Sequence, residues 1–552
     1  MCIAYKSHDK HTPQEVRDNK APELAKYQEI GMHIIFDIKM DFTRKARFVA
    51  GGHTTDTPSS LTYSSVVSRD SVRIAFMYAG LNDLEVSSCD IGNAYLNAPC
   101  RELIWFEAGK ECGEDAGKVM ICTRAIYGLK SSGAAWRSMF SQFIEKELKF
   151  TSTRVDADVY RRKARKPDGG YYYELLLVYV DDCLLVSHDP NSVMKKIQER
   201  FDLKDGFGEP KVYLGAETVK HQTANGTMAW GLKSTQYVKN IVATISADLE
   251  REGRRLKGGR NRKNRGPLPT NYKPELDVSP EVGPHLIQRY QAMMGMLRWA
   301  IELGRIDIEI ETSLLSQYQS SPREGHLEAA YSIVHYLQEN PSKVAVMDPA
   351  DKRCDSTRFN SNANWEEIYG DITEDIPPDA PEPLGAPITI TVFLDSDHAS
   401  NAVTRPSHTG VLVFVQNALI LSYCKRQNTV ESATFGSELV AMRLARDLIV
   451  GLHVKLRMFG IPILGPANFF CDNEGVVKNT SIPESTLNKK HNSINYHVIR
   501  ESVAQGIMQV AKEPTETNMA DALTKIVPYE RKKTLLCPLL VDVPDDDHTG
   551  TP

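Results

Sequence analysis

The sequence predicts an α+β protein built from two separate α/β segments with a helical stretch between them. Three observations carry that prediction. Short apolar runs alternate with helix-like patterns from about Glu23 to Glu217. From Pro284 to Leu337 apolar residues such as Tyr290, Met293, Met294, Leu297 and Ala300 recur at helical spacing. A second alternation of strand-like and helix-like patterns then runs from Ile388 to about Val527.

The segments follow in order along the 552 residues. Residues 1–22 are polar and lack the apolar core of a signal peptide, and are expected to be disordered. Residues 23–220 form the first α/β segment and 221–345 the helical region. The stretch from Gly253 to Asn264, rich in Gly, Arg, Lys and Asn, interrupts the latter as a solvated loop. Residues 346–387 turn acidic and proline-rich, with Pro377, Pro378, Pro381, Pro383 and Pro387, the composition of a linker. Residues 388–528 form the second α/β segment. A tail, 529–552, carries Asp545, Asp546 and Asp547 in a row and is expected to be disordered.

A hydrophobic fraction of 41% and a charged fraction of 25% are those of a globular protein. The net charge of −5 neither supports nor opposes nucleic acid, because only a groove has to be basic. The ten cysteines are scattered without a C-x-x-C pair, which speaks against a disulfide framework and a zinc array. No apolar run approaches the roughly 18 residues of a membrane helix, and the longest, Leu175 to Val186, is split by two aspartates.

That split run is the first chemical signal. Two strand-like stretches, Leu175–Val180 and Cys183–Val186, leave only Asp181 and Asp182 between them, a β-hairpin with an acidic pair at its tip. An ordinary turn would also favour aspartate. Strands this apolar are buried on both faces, however, and two like charges against protein are costly unless a cation neutralises them. Asp90 ends another strand-like run, Leu84–Cys89. A strand-end carboxylate meeting a hairpin-tip pair can hold two divalent ions for phosphoryl transfer. Adjacent strand residues face opposite ways, so Asp181 and Asp182 are not equivalent.

At this point the residues resemble a known family. Tyr179, Val180, Asp181 and Asp182 resemble the active-site signature of reverse transcriptases, and Asp90 to Tyr95 their first aspartate motif. Lys45 to Ala50, Ala125 to Lys130 with Trp136, and Tyr213 to Gly215 are similar to the copia-type retrotransposon Pol polyprotein, in the same order. The resemblance implies a right-hand polymerase with fingers, palm and a reduced thumb. It implies that Lys45 and Arg47 contact the incoming triphosphate, that Tyr95 is a steric gate against the ribose 2′-hydroxyl, and that Gly128 and Lys130 line the template–nucleotide pocket. The family's glutamine and proline are replaced here by Ser131 and Gly133.

Four acids downstream make a second constellation. Asp395 ends the run Ile388–Leu394, and Asp397 follows it. Glu438 opens the apolar stripe of a helix expected over Ser432–Phe459. Asp472 ends the run Asn468–Cys471, and Asp521 sits at an expected helix start. Singly each reads as structural. In this order they resemble a ribonuclease H-like α/β domain with a mixed sheet, which implies metal binding by Asp395, Glu438, Asp472 and Asp521, as by Asp90, Asp181 and Asp182 upstream. Of the first pair, Asp395 is the expected ligand. His491 is assigned to proton transfer, with His497 its rival.

The resemblance implies a reverse transcriptase with ribonuclease H, using Mg2+ with Mn2+ as an alternative. The partners implied are an RNA template, a DNA primer, dNTPs, an RNA–DNA hybrid and the remaining Gag–Pol products, with no membrane. The location implied is cytoplasmic, in virus-like particles, with nuclear access. No protease loop or integrase-type His/Cys array is present, and the chain starts abruptly, so a fragment or truncated copy is expected. The rival reading is a non-catalytic relic or a co-opted nucleic-acid-binding protein. The densest positive charge lies between Arg251 and Arg265, where Arg260, Arg262, Lys263 and Arg265 are expected to contact phosphate.

Overall fold

In the computed structural model the apolar run forms the expected hairpin. Tyr171–Tyr179 and Asp182–Ser187 pair antiparallel, with Leu175 opposite Val186 and Tyr179 opposite Asp182. The structure describes residues 4–38, 44–56, 62–257, 265–360, 363–487 and 490–542. The chain divides into two compact units. The first holds residues 1–67, 85–164 and 174–209, and the second holds 68–84, 165–173 and 210–552.

The first unit is centred on a six-stranded sheet, in the order Leu203–Gly208, Glu85–Ile91, Asp182–Ser187, Tyr171–Tyr179, Val159–Arg165, Thr151–Ser152. The helices Ser132–Lys146 and Pro190–Arg200 cover it. Their apolar faces supply Trp136, Phe140, Phe143, Met194 and Ile197 to one core with Leu176, Leu185 and Phe201. The Trp136 and Phe140 rings stack at 5.0 Å, and Phe201 meets Trp136 edge-on at 5.6 Å. A second sheet orders Tyr5–His8, Val119–Cys122, Ile104–Glu107 and Gln28–Glu29, and Met32–Ile38 pairs with Arg44–Ala50.

The amino-terminal segment departs from expectation. Tyr5–His8 pairs with Val119–Cys122, and Pro13–Arg17 is a helix started by a Thr12–Glu15 capping box. The Tyr5 ring packs 5.5 Å from Phe106. A four-residue edge strand with polar side chains leaves almost no periodic signal, because its stability comes from its neighbour.

The second unit carries the helical region. Thr235–Arg251, Pro284–Glu302, Glu309–Leu315 and Glu324–Glu339 surround a core in which Tyr290, Met293, Met294, Leu297 and Ala300 are wholly buried. A five-stranded sheet orders Val212–Tyr213, Ala216–Gln222, Met228–Lys233, Lys343–Met347 and Leu540–Asp542. The tail is thus not disordered over its described part. Tyr529–Leu536 is a helix, and Leu540–Asp542 pairs with Lys343–Met347. The helix is anchored by Lys532, whose ammonium lies 2.5 Å from the Glu311 carboxylate with both side chains buried. Lysine reads as exposed in sequence, so this anchor has no sequence signature. Asp545, Asp546 and Asp547 lie outside the described residues.

The second α/β pattern forms a mixed five-stranded sheet, in the order Ala418–Arg426, His408–Val415, Ile390–Ser396, Ala467–Cys471, Met508–Lys512. The first three strands run antiparallel and the last two join in parallel. The helix Thr434–Phe459 ends where Gly460 takes φ 78° and returns its N–H to Arg457. The proline-rich stretch is pinned rather than free. The Glu374 carboxylate takes hydrogen bonds from Arg457 and from His453, the latter at 3.0 Å, and the Ala386 N–H donates to Asn82 at 2.9 Å. Its composition misleads because proline and acid disfavour helix and sheet but leave side-chain anchoring untouched. Among the described residues, no helix is long and apolar enough to cross a membrane.

Candidate active sites

The first site is built by strand register. Glu85–Ile91 pairs with Asp182–Ser187 so that Asp90 faces Asp182 and Cys89 faces Cys183. The turn residues are Val180 and Asp181, with Asp182 already paired to Tyr179 as the first residue of its strand. The tip therefore sits one residue earlier than the sequence suggested. Val180 has φ 58°, a conformation costing a β-branched residue about 1–3 kcal/mol. The flanking contacts hold it there. The Trp136 indole donates to the Val180 carbonyl at 2.7 Å, and the Ile91 N–H donates to the Asp181 carbonyl at 2.9 Å.

The three carboxylates act on one another through their charge. Burial, then the charges of Asp181 and Asp90, push the Asp182 carboxyl up to about 6. Lys204, on the strand beside Asp90, places its ammonium 2.5 Å from Asp90 and 3.5 Å from Asp181. Burial works against that charge, but the two aspartates outweigh it and hold its pKa above the usual lysine value. The aspartates thus draw a cation from the chain itself, as uncompensated negative charge does. Lys204 was not among the sequence candidates, and its signal was a lone lysine in a strand-like run.

A cavity of about 380 Å3 adjoins the cluster, lined by Lys45, Arg47, Asn93, Tyr127 and Lys204 among others. The Arg47 guanidinium lies 5.8 Å from the Tyr127 ring centre, and Tyr127 lies 4.9 Å from the half-buried Tyr95 ring. Gly128 and Lys130 do other work. Gly128 has φ 95°, and a Cβ there would stand 2.0 Å from the Ala50 carbonyl oxygen, so only glycine lets these segments touch. Lys130 donates to the Thr55 carbonyl at 2.5 Å, and neither residue lines the cavity. Ser131 donates to Glu102 at 2.6 Å. Of the basic run, Arg265 is exposed, while Arg260, Arg262 and Lys263 lie outside the described residues.

The second site lies at the strand ends of the mixed sheet. Ile390–Ser396 and Ala467–Cys471 run parallel with Phe393 beside Phe470, a register that carries Asp395 beside Asp472. Glu438 enters from the long helix, almost fully buried. Burial first, then Asp472 and Asp521, push the Asp395 carboxyl up to about 7. Burial, Asp395 and Asp472 raise Glu438 well above the usual range. Glu438 Oε2 is buried with no hydrogen-bond partner, an orphaned acceptor that a cation would satisfy.

The remaining candidates divide. Asp397 accepts the His408 N–H and so turns to the backbone. Asp521 is held by Arg531, at 2.9 Å, and by Lys525. Thr524, which sequence did not single out, donates to Asp395 at 2.6 Å. His491 is exposed and lies 3.5 Å from Glu431, whereas His497 meets the Tyr369 hydroxyl at 3.3 Å. Neither contact ties a histidine to the carboxylates.

Residues 20–249 match the family model described as reverse transcriptase (RNA-dependent DNA polymerase). The chain is 26% identical over 493 residues to the retrovirus-related Pol polyprotein from transposon TNT 1-94 of Nicotiana tabacum, covering 87% of this chain and 32% of the relative. It is 23% identical over 490 residues to the corresponding polyprotein from transposon RE1 of Arabidopsis thaliana, covering 87% and 29%. The transposon Ty1-DR1 Gag-Pol polyprotein of Saccharomyces cerevisiae is 23% identical over 334 residues, covering 58% and 18%. The chain is a homologue of copia-type retrotransposon Pol polyproteins.

The chain spans less than a third of the length of the curated relatives it matches first. Among solved structures, it is similar to the N-terminal RNase H domain of Rv2228c from Mycobacterium tuberculosis, solved as a fusion with maltose binding protein. That likeness has 15% identity, covers 25% of this chain and 91% of the other, and has a TM-score of 0.20. LC11-RNase H1 in complex with an RNA/DNA hybrid is 14% identical, covering 25% and 94%, with a TM-score of 0.21. The first carboxylate cluster falls inside the region matched by the family model, and the second lies downstream of it.

Proposed function

We propose that the chain is a reverse transcriptase that extends a DNA primer on RNA and DNA templates, and that its downstream site hydrolyses RNA in the resulting hybrid. The reading rests above all on Asp90 and Asp182 facing each other across paired strands, with Asp181 on the adjoining turn and a basic cavity alongside. The six-stranded sheet serves as palm, the Arg44–Ala50 strand belongs to the fingers, and the helices from Thr235 to Glu339 make the reduced thumb.

Asp90, Asp181 and Asp182 would hold magnesium, with manganese as a substitute, and Asp395, Glu438 and Asp472 would do so downstream. Such ions lower the barrier by stabilising both the attacking and the leaving oxygen. The chain's own residues supply the rest. Lys45 and Arg47 bind the triphosphate and set its phosphorus in line with the primer hydroxyl. The Tyr95 ring, braced by Tyr127, lies under the sugar and excludes a 2′-hydroxyl. Lys204 offers an ammonium beside the reacting phosphates, able to give a proton to the departing oxygen. Downstream, Thr524 orients the Asp395 carboxylate by its hydrogen bond.

The partners proposed are template, primer, dNTPs and the other Gag–Pol products, in a virus-like particle. Primer extension by the purified chain with magnesium on an RNA template tests the first activity. Release of labelled RNA fragments from a preformed hybrid tests the second. Absence of either product from folded protein overturns the corresponding half.

A further inference from the structure

The downstream cluster contains a group that a hard-cation site does not call for. Glu438, Cys471 and Asp472 bring a carboxylate oxygen, a thiol sulfur and a second carboxylate oxygen within 4.8 Å of one another. Among the described residues this is the one such grouping of potential ligands. Strand ends produce it. Cys471 closes the strand, so its thiol stays in the buried layer, while Asp472 begins the loop and is half-buried. Glu438 approaches from the long helix with 2% of its surface exposed, and its Oε2 has no hydrogen-bond partner. An orphaned buried carboxylate oxygen beside a thiol marks an unfilled demand for positive charge.

Donor chemistry decides which cation meets that demand best. Magnesium and calcium take oxygen donors and shun sulfur. Zinc and cadmium accept a thiolate together with carboxylates. Around zinc, ligand atoms stand roughly 3.5 Å apart, so the three side chains need only draw together slightly. We infer that Glu438, Cys471 and Asp472 form a sulfur–oxygen site for a thiophilic divalent cation, competing at this cluster with the hard ion that hydrolysis would use. As the sulfur–metal bond forms, the thiol proton passes to solvent. Glu438 and Asp472 are also ligands in the proposed hydrolytic site, so occupancy by zinc or cadmium withdraws both from it. The inference builds on that reading in naming the competition, but binding itself does not depend on hydrolysis.

Cadmium alone, added to the purified full chain without nucleic acid, is the probe. Thiolate-to-cadmium charge-transfer absorbance reports the sulfur bond directly. The wild type is expected to show a tight component of one cadmium per chain. Cys471→Ser and Glu438→Gln should each weaken that component by at least about tenfold. Cys424→Ser, which removes a buried thiol elsewhere in the sheet, should leave it in place. A tight component that survives Cys471→Ser overturns the proposal. So does one that survives Glu438→Gln, since the thiol would then bind alone. Should serine at position 471 destabilise the strand, Glu438→Gln decides the matter with every cysteine present. A chain that binds cadmium as expected but never cleaves a hybrid would sink the hydrolytic reading and leave the metal site standing.

Discussion

Asp90 and Asp182 are direct cross-strand partners, each on its own strand of one antiparallel pair, with the Cys89–Cys183 pair beneath them. Like charges placed directly opposite destabilise a sheet. The arrangement is therefore one that stability alone would not select, and the proposed chemistry is assigned to it. Asp182→Asn or Asp90→Asn should reduce primer extension by on the order of a thousandfold, the loss of several kcal/mol of charge stabilisation. The fold should persist, because asparagine opens no cavity and relieves repulsion. Normal extension by either variant would count against the assignment.

The two carboxylate clusters lie in different compact units. Glu438→Gln or Asp472→Asn should accordingly stop cleavage of RNA in a hybrid and leave polymerisation within about twofold of wild type. Parallel assays on the same preparations decide it, and equal loss of both activities in a folded variant contradicts the division.

Sugar choice should rest on Tyr95. Tyr95→Ala removes the ring that packs 4.9 Å from Tyr127. Exclusion by shape implies a selective gain in ribonucleotide incorporation, on the order of tenfold or more, with less effect on deoxynucleotides. An unchanged ratio of the two efficiencies would reduce Tyr95 to packing.

Acid should release the proline-rich segment. Burial alone would raise the Glu374 carboxyl, but hydrogen bonds and charge from His453 and Arg457 outweigh it and lower its pKa to about 2. An unfolded glutamate titrates near 4.3. The contribution is therefore complete above that value and is lost as pH falls toward 2. The melting-temperature difference between wild type and Glu374→Gln should shrink as pH falls from about 5 toward 2. A difference that stays level to about pH 3 would show that the Glu374 charge does not do the anchoring.

The basic run should hold the duplex through phosphates. Arg254 is engaged with Glu328 and lies 5.5 Å from the Tyr331 ring centre, so the run leaves an anchored helix end. Changing Arg260, Arg262, Lys263 and Arg265 to Ala should weaken primer–template binding and make the salt slope shallower by roughly one unit per lost contact. Sequence preference should not move, because phosphates carry no base identity. Binding measured across a salt series with an unchanged slope would leave the segment without a role in holding nucleic acid.

The sequence by itself determined the elements and most of the site. The run from Leu175 to Val186 could only be a hairpin, since two apolar stretches that close leave no other way to bury both. The stripe from Tyr290 to Ala300 specified a helix and its inner face by spacing alone. Asp181 and Asp182 were legible because they split an apolar run, where a charge is costly, and Asp90, Asp395, Glu438 and Asp472 because their order and context resemble those of a known family. Tertiary structure alone decided which groups meet. Register set Asp90 against Asp182, moved the hairpin tip to Val180, and brought Lys204 to the carboxylates. Backbone contact made Gly128 a packing residue, and hydrogen bonding tied Asp397 to the His408 backbone. Burial of Lys532 against Glu311 and the hold on Glu374 by His453 and Arg457 ordered a tail and a proline-rich segment that composition marked as loose. The physical reason is common to all of these. Periodicity reports the average burial of a face, which neighbours in the chain encode, whereas a hydrogen bond or ion pair between distant residues depends on positions that only the packed chain defines.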